Sequence, residues 1–339
     1  MIEKINTIAL EQYLQTHLSG FKKLDAIEKF KDGQSNPTYK LTSNDRQFVL
    51  RTKPLGTLLK SAHAVDREYK VMNALFDTDV PVPRTLHLSE VKSPINSQFY
   101  VMEYVEGQIF WDPALTQLNK SDRIRVYDEM NLTLSRLHSL NISAVGLTDF
   151  GKQGNYFERQ LKRWSEQYKA SETEHLSDVD WLICWLPQNM VNEDDSLVSI
   201  IHGDYRIDNM IFHPQQFKVI ALLDWELSTL GHPFADLAYQ CMHWRLPHDG
   251  QFKGLNGVNK TKLGLPSEDD YVNLYCKRCG INKPENWIFY LGFSYFRFLA
   301  ILQGVLKRAL DGNASNPHDV TIMRDIIKKM AVDACKLLA

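Results

Sequence analysis

Cysteine is scarce: Cys184, Cys241, Cys276, Cys279 and Cys335 are the only five in 339 residues. An odd, scattered set excludes a disulfide-built miniprotein and fits reduced thiols. Cys276 and Cys279 form a lone CxxC with no second pair, so zinc is not expected. A surplus of either charge is also missing, with 39 Lys and Arg against 41 Asp and Glu, a formal net charge of −2. No global field therefore draws the chain to nucleic acid or to an anionic membrane. Long hydrophobic runs are lacking too. The most apolar stretches, such as Val219–Leu223 and Trp181–Leu186, are far too short to span a bilayer. The first eighteen residues break their apolar pattern with acids and amides, unlike a signal peptide. No internal repeat or low-complexity tract is found. The expectation is a soluble, cytoplasmic protein with no nucleic-acid or membrane partner.

What is present is an ordinary globular balance, 44% hydrophobic and 24% charged, at a length suited to one large domain or two lobes. Ile5, Ile8, Leu10, Tyr13, Leu14 and Leu18 recur at roughly helical spacing and stop at Gly20. The period then shortens, and Ile27–Phe30, Thr38–Thr42 and Gln47–Thr52 read as strands separated by turn residues. Ala64–Phe76 returns to helical spacing, and Thr85–Glu90 and Phe99–Tyr104 read as two further strands. From Ser121 the chain is mainly helical: Arg123–Leu140, Tyr156–Lys169 and Asp178–Trp185. Two short strands, Asn209–His213 and Val219–Leu223, interrupt it, and helices with a Gly/Lys-rich loop over Gly250–Gly264 follow Phe234. The pattern predicts an α+β chain with a small antiparallel-sheet lobe carrying one helix over residues 1–104. A larger helical lobe is expected over 105–339.

The chemistry concentrates between Leu197 and Asp236. An apolar strand runs into His202-Gly203-Asp204, and Asn209 stands five residues after Asp204. A hairpin then leads to Asp224. Asn209 begins its first strand and Asp224 ends its second, so the two side chains converge. An amide oxygen and a carboxylate are hard ligands that suit Mg²⁺, which keeps waters and binds nucleotide phosphates. Asp204, just before the hairpin, is placed to accept the proton of a substrate hydroxyl.

His202-x-Asp204-x₄-Asn209 followed by Asp224 resembles the catalytic loop and metal site of the protein-kinase-like phosphotransferases. Gly203, where protein kinases carry arginine, is similar to the aminoglycoside phosphotransferase and choline kinase branch. The resemblance implies a two-lobed protein-kinase-like fold using ATP and Mg²⁺. Ser35 and Asn36, in Asp32-Gly33-Gln34-Ser35-Asn36-Pro37, fall where a nucleotide-covering loop belongs. Arg51 occupies the position of the kinase lysine and Lys53 leaves the same strand face, so either could hold the phosphates. Glu68 falls where the ion-pair partner of that cation is expected. In Phe99–Val105 the backbone of Glu103 to Val105 would pair with adenine and Met102 would line its pocket. His202 and Asp236 are read as supports of the loop, and Glu226 as either a further metal ligand or a structural carboxylate.

Asp236 stands only twelve positions after Asp224, too few for the activation segment of a protein kinase, so a small-molecule acceptor follows. The wider sequence is similar to phosphotransferase proteins like the N-terminal kinase domain of acyl-CoA dehydrogenase family members 10 and 11. Gly33–Tyr39, Leu50–Leu59, Ser61–Glu68, Gly107–Pro113, Arg159–Tyr168 and Phe296–Gly312 carry that likeness. Thr52 and His232 depart from it, standing where a basic and an acidic residue are common. The likeness implies phosphorylation of a hydroxyl on an acyl chain or hydroxy acid, with Trp111, Tyr156, Arg159, Arg163 and Trp164 as candidates for the acceptor wall. For Arg159 and Arg163 a solvated basic face beside Trp164 is the competing reading. An aminoglycoside or amino-alcohol acceptor would use the acids between Glu166 and Asp195. A non-catalytic nucleotide-binding module and a metal-dependent hydrolase built on His202, Asp204 and Asp224 are the readings from other classes. His243, His248 and the Lys253–Lys262 loop are weaker signals, read as helix packing and a solvated loop.

Overall fold

The structure, a computed structural model, describes residues 5–30, 36–54, 64–91, 93–191, 197–312 and 320–339. In chain order the elements are α1 (Thr7–His17), β1 (Ala26–Lys29), β2 (Thr38–Ser43), β3 (Arg46–Thr52), α2 (Val65–Leu75), β4 (Thr85–Leu88) and β5 (Phe99–Glu103). There follow α3 (Lys120–His138), α4 (Tyr156–Ser171), α5 (Ser177–Gln188), β6 (Ser199–Ile201), β7 (Met210–Phe212), β8 (Val219–Leu222) and β9 (Thr229–Gly231). The chain closes with α6 (Phe234–Met242), α7 (Lys260–Leu263), α8 (Glu268–Cys279), α9 (Trp287–Leu310) and α10 (Val320–Leu338). The expected elements are all present within a few residues. The β6–β9 pair is new in one half, because Thr229–Gly231 is too short to announce itself.

The chain divides into two compact units, Met1–Ile109 with Asn209–Ser228, and Phe110–Asp208 with Thr229–Ala339. The division differs from the expected cut after residue 104. The reason is local: Gln108 and Phe212 exchange backbone hydrogen bonds of 2.8 Å in both directions, and Leu222 N–H donates to the Pro81 carbonyl at 2.8 Å. The β7–β8 hairpin is thereby stitched to the segment after β5. Gly107 permits this approach, since a Cβ there would lie 2.7 Å from the Phe212 carbonyl oxygen and overlap the Ile211 side chain.

In the first unit, five antiparallel strands run in the order β1-β2-β3-β5-β4. Asn6 caps α1 by accepting the Ala9 N–H at 3.1 Å. Leu10 and Leu14 of α1 pack with Leu18 and Phe21 onto Leu41, Phe48, Leu50, Phe99 and Val101. Because side chains alternate along a strand, Arg51 leaves β3 on the face opposite Leu50, toward α2.

The second unit is built around α9, whose 24 residues are buried on nearly every side by α4, α5, α6 and α10. This corrects the expectation that no stretch is long enough to cross a membrane. Trp287–Leu310 is long and apolar enough by composition, and 83% of its most apolar window is buried inside the protein, the pattern of a core helix.

Candidate active site

In the first unit the site grows around one buried carboxylate. Glu68 of α2 is 1% exposed. Its Oε1 accepts from the Asn36 amide at 2.7 Å, and its Oε2 accepts from the Tyr100 hydroxyl at 3.1 Å. Arg51 Nε lies 2.8 Å from the same Oε2. The other end of that guanidinium reaches away from Glu68: Nη2 is 2.6 Å from Asp224 Oδ1 and 3.7 Å from Glu226 Oε2. Burial pushes the Glu68 carboxyl above the usual range, with Arg51 pulling against it. Burial likewise disfavours the charged guanidinium, but Glu68, Asp224 and Glu226 outweigh it and hold Arg51 well above its ordinary value. Arg51 is a fixed cation.

Asp224 follows β8 in the left-handed region, φ 66°, a conformation that aspartate tolerates better than most residues. Leu223 N–H donates to the Asn209 carbonyl at 2.8 Å, so Asn209 and Asp224 stand at the same end of the hairpin, as expected. Trp225, fully buried, anchors the turn by donating its indole N–H to the Leu222 carbonyl at 2.9 Å. The donor set fits a magnesium ion: one amide oxygen and one partly exposed carboxylate at adjoining strand ends, both hard ligands. Among the described residues no group of three or more His, Cys, Asp or Glu forms a metal cage. A metal held here would keep waters or share phosphate oxygens.

In the second unit the His202–Asp208 loop follows β6 and is fixed from beneath. Asp236 of α6, fully buried, accepts the backbone N–H of His202 at 2.6 Å and of Gly203 at 2.8 Å. His138 Nε2 contacts its Oδ2 at 3.2 Å, while His138 Nδ1 pairs with the Tyr275 hydroxyl at 2.6 Å. Burial resists ionisation of Asp236, but the hydrogen bonds from His138 and from the Gly203 backbone prevail and hold it below the usual carboxylate range. His202 Nδ1 accepts the Asp204 N–H at 3.1 Å, so that nitrogen bears no proton. Asp236 thus holds the backbone of the loop, and His202 bonds within it. Arg297 of α9 adds a third brace, donating to the Gly203 carbonyl at 2.5 Å.

Asp204 itself is partly exposed. Arg206 Nε lies 3.4 Å from its Oδ1, and Arg206 Nη2 lies 2.8 Å from Asp208 Oδ2. Arg206 and His138 were not singled out from the sequence. Arg206 had a signal, being a cation two residues after the loop aspartate. His138 had none, since a histidine at the end of an amphipathic helix reads as surface.

The remaining candidates separate clearly. Lys53 turns to Asp66 at 3.2 Å and Gln98 at 2.8 Å, so Arg51 is the cation joined to Glu68 and Asp224. Asn36 is 2% exposed and spends its amide on Glu68, which makes it a brace of the ion pair. Ser35 lies outside the described residues, as do Glu193, Asp194 and Asp195. Glu103 N–H donates to the Arg84 carbonyl and Tyr104 N–H to that of Gln47. Val105 N–H makes no backbone hydrogen bond of this kind among the described residues, and Met102 is buried on β5.

Of the acceptor-wall candidates, Tyr156 and Trp164 are each 3% exposed. Tyr156 packs on Gly231 and the rings of Phe157 and Phe293, so it is core. Trp164 lies beneath the guanidinium of Arg297, 5.6 Å from its ring centre, which makes it a floor for the loop brace. Arg163 stacks on Trp164, and Arg159 donates to the Lys152 carbonyl at 2.7 Å. Trp111 is exposed and precedes Asp112, whose carboxylate meets His248 Nε2 at 3.0 Å. His232 Nδ1 accepts the Phe234 N–H at 3.2 Å, at the start of α6.

A five-stranded antiparallel sheet with one α2-type helix, an Arg–Glu pair, a short HGD loop and a hairpin ending in aspartate define a protein-kinase-like phosphotransferase. The profile of the phosphotransferase enzyme family matches residues 26–256, and the chain belongs to that family. It is 48% identical over 313 residues to acyl-CoA dehydrogenase family member 10 of Mus musculus, covering 91% of this chain and 29% of that protein. It is 39% identical over 339 residues to family member 11 of Homo sapiens, covering 98% of this chain and 43% of that one. The chain thus spans less than half the length of these relatives. A crystal structure from Ralstonia eutropha, provisionally named an aminoglycoside phosphotransferase, is 45% identical with a TM-score of 0.87, covering 98% of both chains. The aminoglycoside phosphotransferase APH(4)-Ia, in a ternary complex with ADP and hygromycin B, shares the fold with a TM-score of 0.62 at 13% identity, covering 98% of this chain and 99% of its own.

Proposed function

We propose that this phosphotransferase is an ATP- and magnesium-dependent kinase of a small hydroxyl-bearing molecule. The observation that carries it is the Arg51 guanidinium, shared between buried Glu68 and the partly exposed Asp224. A fixed cation beside a carboxylate at a strand end is what nucleotide phosphates and their metal require. ADP in the complex of APH(4)-Ia supports the same choice of nucleotide. On this reading Arg51 orients the phosphates, Val105 N–H meets the adenine ring, and Asn209 and Asp224 hold magnesium. The ion would neutralise charge on the phosphoryl oxygens. Asp204 takes the acceptor's hydroxyl proton, and Arg206 lies beside it to stabilise negative charge.

The acceptor we favour is a hydroxy acid or hydroxyacyl thioester, because the curated relatives are named acyl-CoA dehydrogenases. An aminoglycoside or amino alcohol is the alternative, supported by the names of the structural relatives. The deciding experiment measures ADP release with Mg²⁺ and ATP against hydroxyacyl-CoAs, hydroxy acids, aminoglycosides and choline-like alcohols, with Asp204→Asn as control. Acceptor-dependent turnover lost in the variant supports the kinase and identifies its substrate class. Tight Mg·ATP binding without any stimulation favours a non-catalytic nucleotide-binding module.

A further inference from the structure

Three buried polar side chains form a line beneath the His202–Asp208 loop. Tyr275 of α8 is fully buried, and its hydroxyl lies 2.6 Å from His138 Nδ1. The imidazole, with 1% of its side chain exposed, meets Asp236 Oδ2 from Nε2 at 3.2 Å. That same Oδ2 accepts the His202 N–H at 2.6 Å, and Oδ1 accepts the Gly203 N–H at 2.8 Å. The Tyr275 ring stands edge-on to the imidazole, 5.8 Å between centres and 85° between planes, so each ring limits the other's rotation. The His138 backbone is fixed as well, its carbonyl accepting the Ser199 hydroxyl at 3.1 Å.

We propose that Tyr275 is the positioning residue of His138: its hydroxyl donates to Nδ1, which leaves the imidazole proton on Nε2, aimed at the oxygen that carries the His202 N–H. The inference rests on the kinase reading for its catalytic meaning and deepens it. The surrounding donors and acceptors favour this arrangement. Asp236 is held below the usual carboxylate range, so it only accepts, and the nitrogen facing it carries a proton. A lone proton on Nδ1 would instead turn the Nε2 lone pair toward that carboxylate. Burial keeps the Tyr275 phenol well above the ordinary tyrosine value, so it has a proton to donate. The Cys279 thiol is also held protonated by burial and lies 4.0 Å from the Ser135 carbonyl, which leaves Nδ1 as the better acceptor for that phenol. The bond at one ring nitrogen of a histidine decides which proton the other presents, so a tyrosine of α8 sets what α3 offers to α6. A carboxylate shared between that imidazole and two loop N–H groups keeps the backbone entering Asp204 in one place.

The test is Tyr275→Phe, which keeps the ring and removes only the hydroxyl. Nitrogen-15 NMR of the full chain labelled at histidine, with His138→Gln identifying the signal, reads the His138 ring without nucleotide or acceptor. In the parent protein Nε2 is expected to carry the proton and Nδ1 to be bare and hydrogen-bonded, and in Tyr275→Phe the Nδ1 signal should move. Hydrogen exchange at the His202 and Gly203 amides is a second measurement, which needs no His138 variant. Those amides should exchange about fivefold faster in Tyr275→Phe, the factor that one hydrogen bond of ordinary strength gives, with exchange in α10 unchanged. The value of kcat should fall by a similar factor with KM for ATP unchanged. A proton on Nδ1 in the parent overturns the proposal, as does exchange at His202 and Gly203 that stays at the parent rate or quickens together with α10. The expected NMR and exchange changes in a protein that turns over no ATP at all leave the hydroxyl–imidazole relation standing and remove the kinase reading instead.

Discussion

Arg51 Nη2 stands 2.6 Å from Oδ1 of Asp224, 173 residues further along the chain, while its Nε stands 2.8 Å from Glu68, so one guanidinium joins a buried carboxylate to a partly exposed one. The two carboxylates differ in kind. Glu68 is sealed from water and depends on Arg51, whereas Asp224 is 31% exposed. Replacing Arg51 by Met strands the Glu68 carboxylate, and a buried charge that loses its partner costs about 3–5 kcal/mol. Urea unfolding should register that loss. Arg51→Met paired with Glu68→Gln should recover much of it, because the stranded charge is then gone. ATP affinity should fall in both proteins.

Asp204 and Asp224 should fail differently. Asp204→Asn is expected to lower kcat by about 10²- to 10⁴-fold, leaving the dissociation constant for Mg·ATP within about twofold. Asp224→Ala should instead abolish magnesium-dependent nucleotide binding in calorimetry. Unaltered Mg·ATP affinity in the second variant would count against the metal assignment.

Acid should weaken the fold in two separable stages. His243 donates from Nδ1 to the Tyr239 and Gln240 carbonyls, and burial with nearby Arg206 brings its value down to about 4. A folded value below the unfolded one of about 6.5 means that stability is full above pH ~6.5 and is lost as pH falls toward 4. His243→Gln should flatten that part of a melting-temperature profile. Asp236 is also depressed, so its contribution is present above pH ~3.9 and is lost as pH falls through its lower folded value. Asp236→Asn should already be less stable at pH 7 and should lack the second, lower step.

Gly107→Ala should destabilise the first unit. The added methyl meets the Phe212 carbonyl and the Ile211 side chain, where the hairpin crosses the segment after β5. Overpacking of this kind costs about 1–3 kcal/mol. Hydrogen exchange at Gln108 and Phe212, which bond each other through the backbone, should quicken more than exchange in β1 or β2.

The His202–Asp208 loop and the hairpin ends were legible because those residues are local in the chain: five positions from Asp204 to Asn209, and two short strands that return Asp224 to it. It left Arg51 and Lys53 unresolved for a physical reason. They share a strand face, and only the positions of Glu68 and of Asp66 with Gln98 decide which cation goes where. Tyr156 and Trp164 illustrate the opposite error. Aromatics at the start and middle of α4 read equally well as a binding wall or as core, and both are buried. The bracing of the loop by His138 and Arg297 depends on contacts across 98 and 94 residues, which no local pattern encodes.

The hairpin stitched to Gln108 and Pro81 also imposes an order on synthesis. A ribosome that has released residues 1–109 has released the sheet and both residues of the Arg51–Glu68 pair, but not Asp224. About a hundred residues of the other unit must emerge before the missing strands arrive, so the first unit waits, incomplete, through the birth of its neighbour. Termination anywhere between Ile109 and Leu223 therefore yields the five strands with Arg51 and Glu68 but without Asp224. No single cut in the gene can separate the two units.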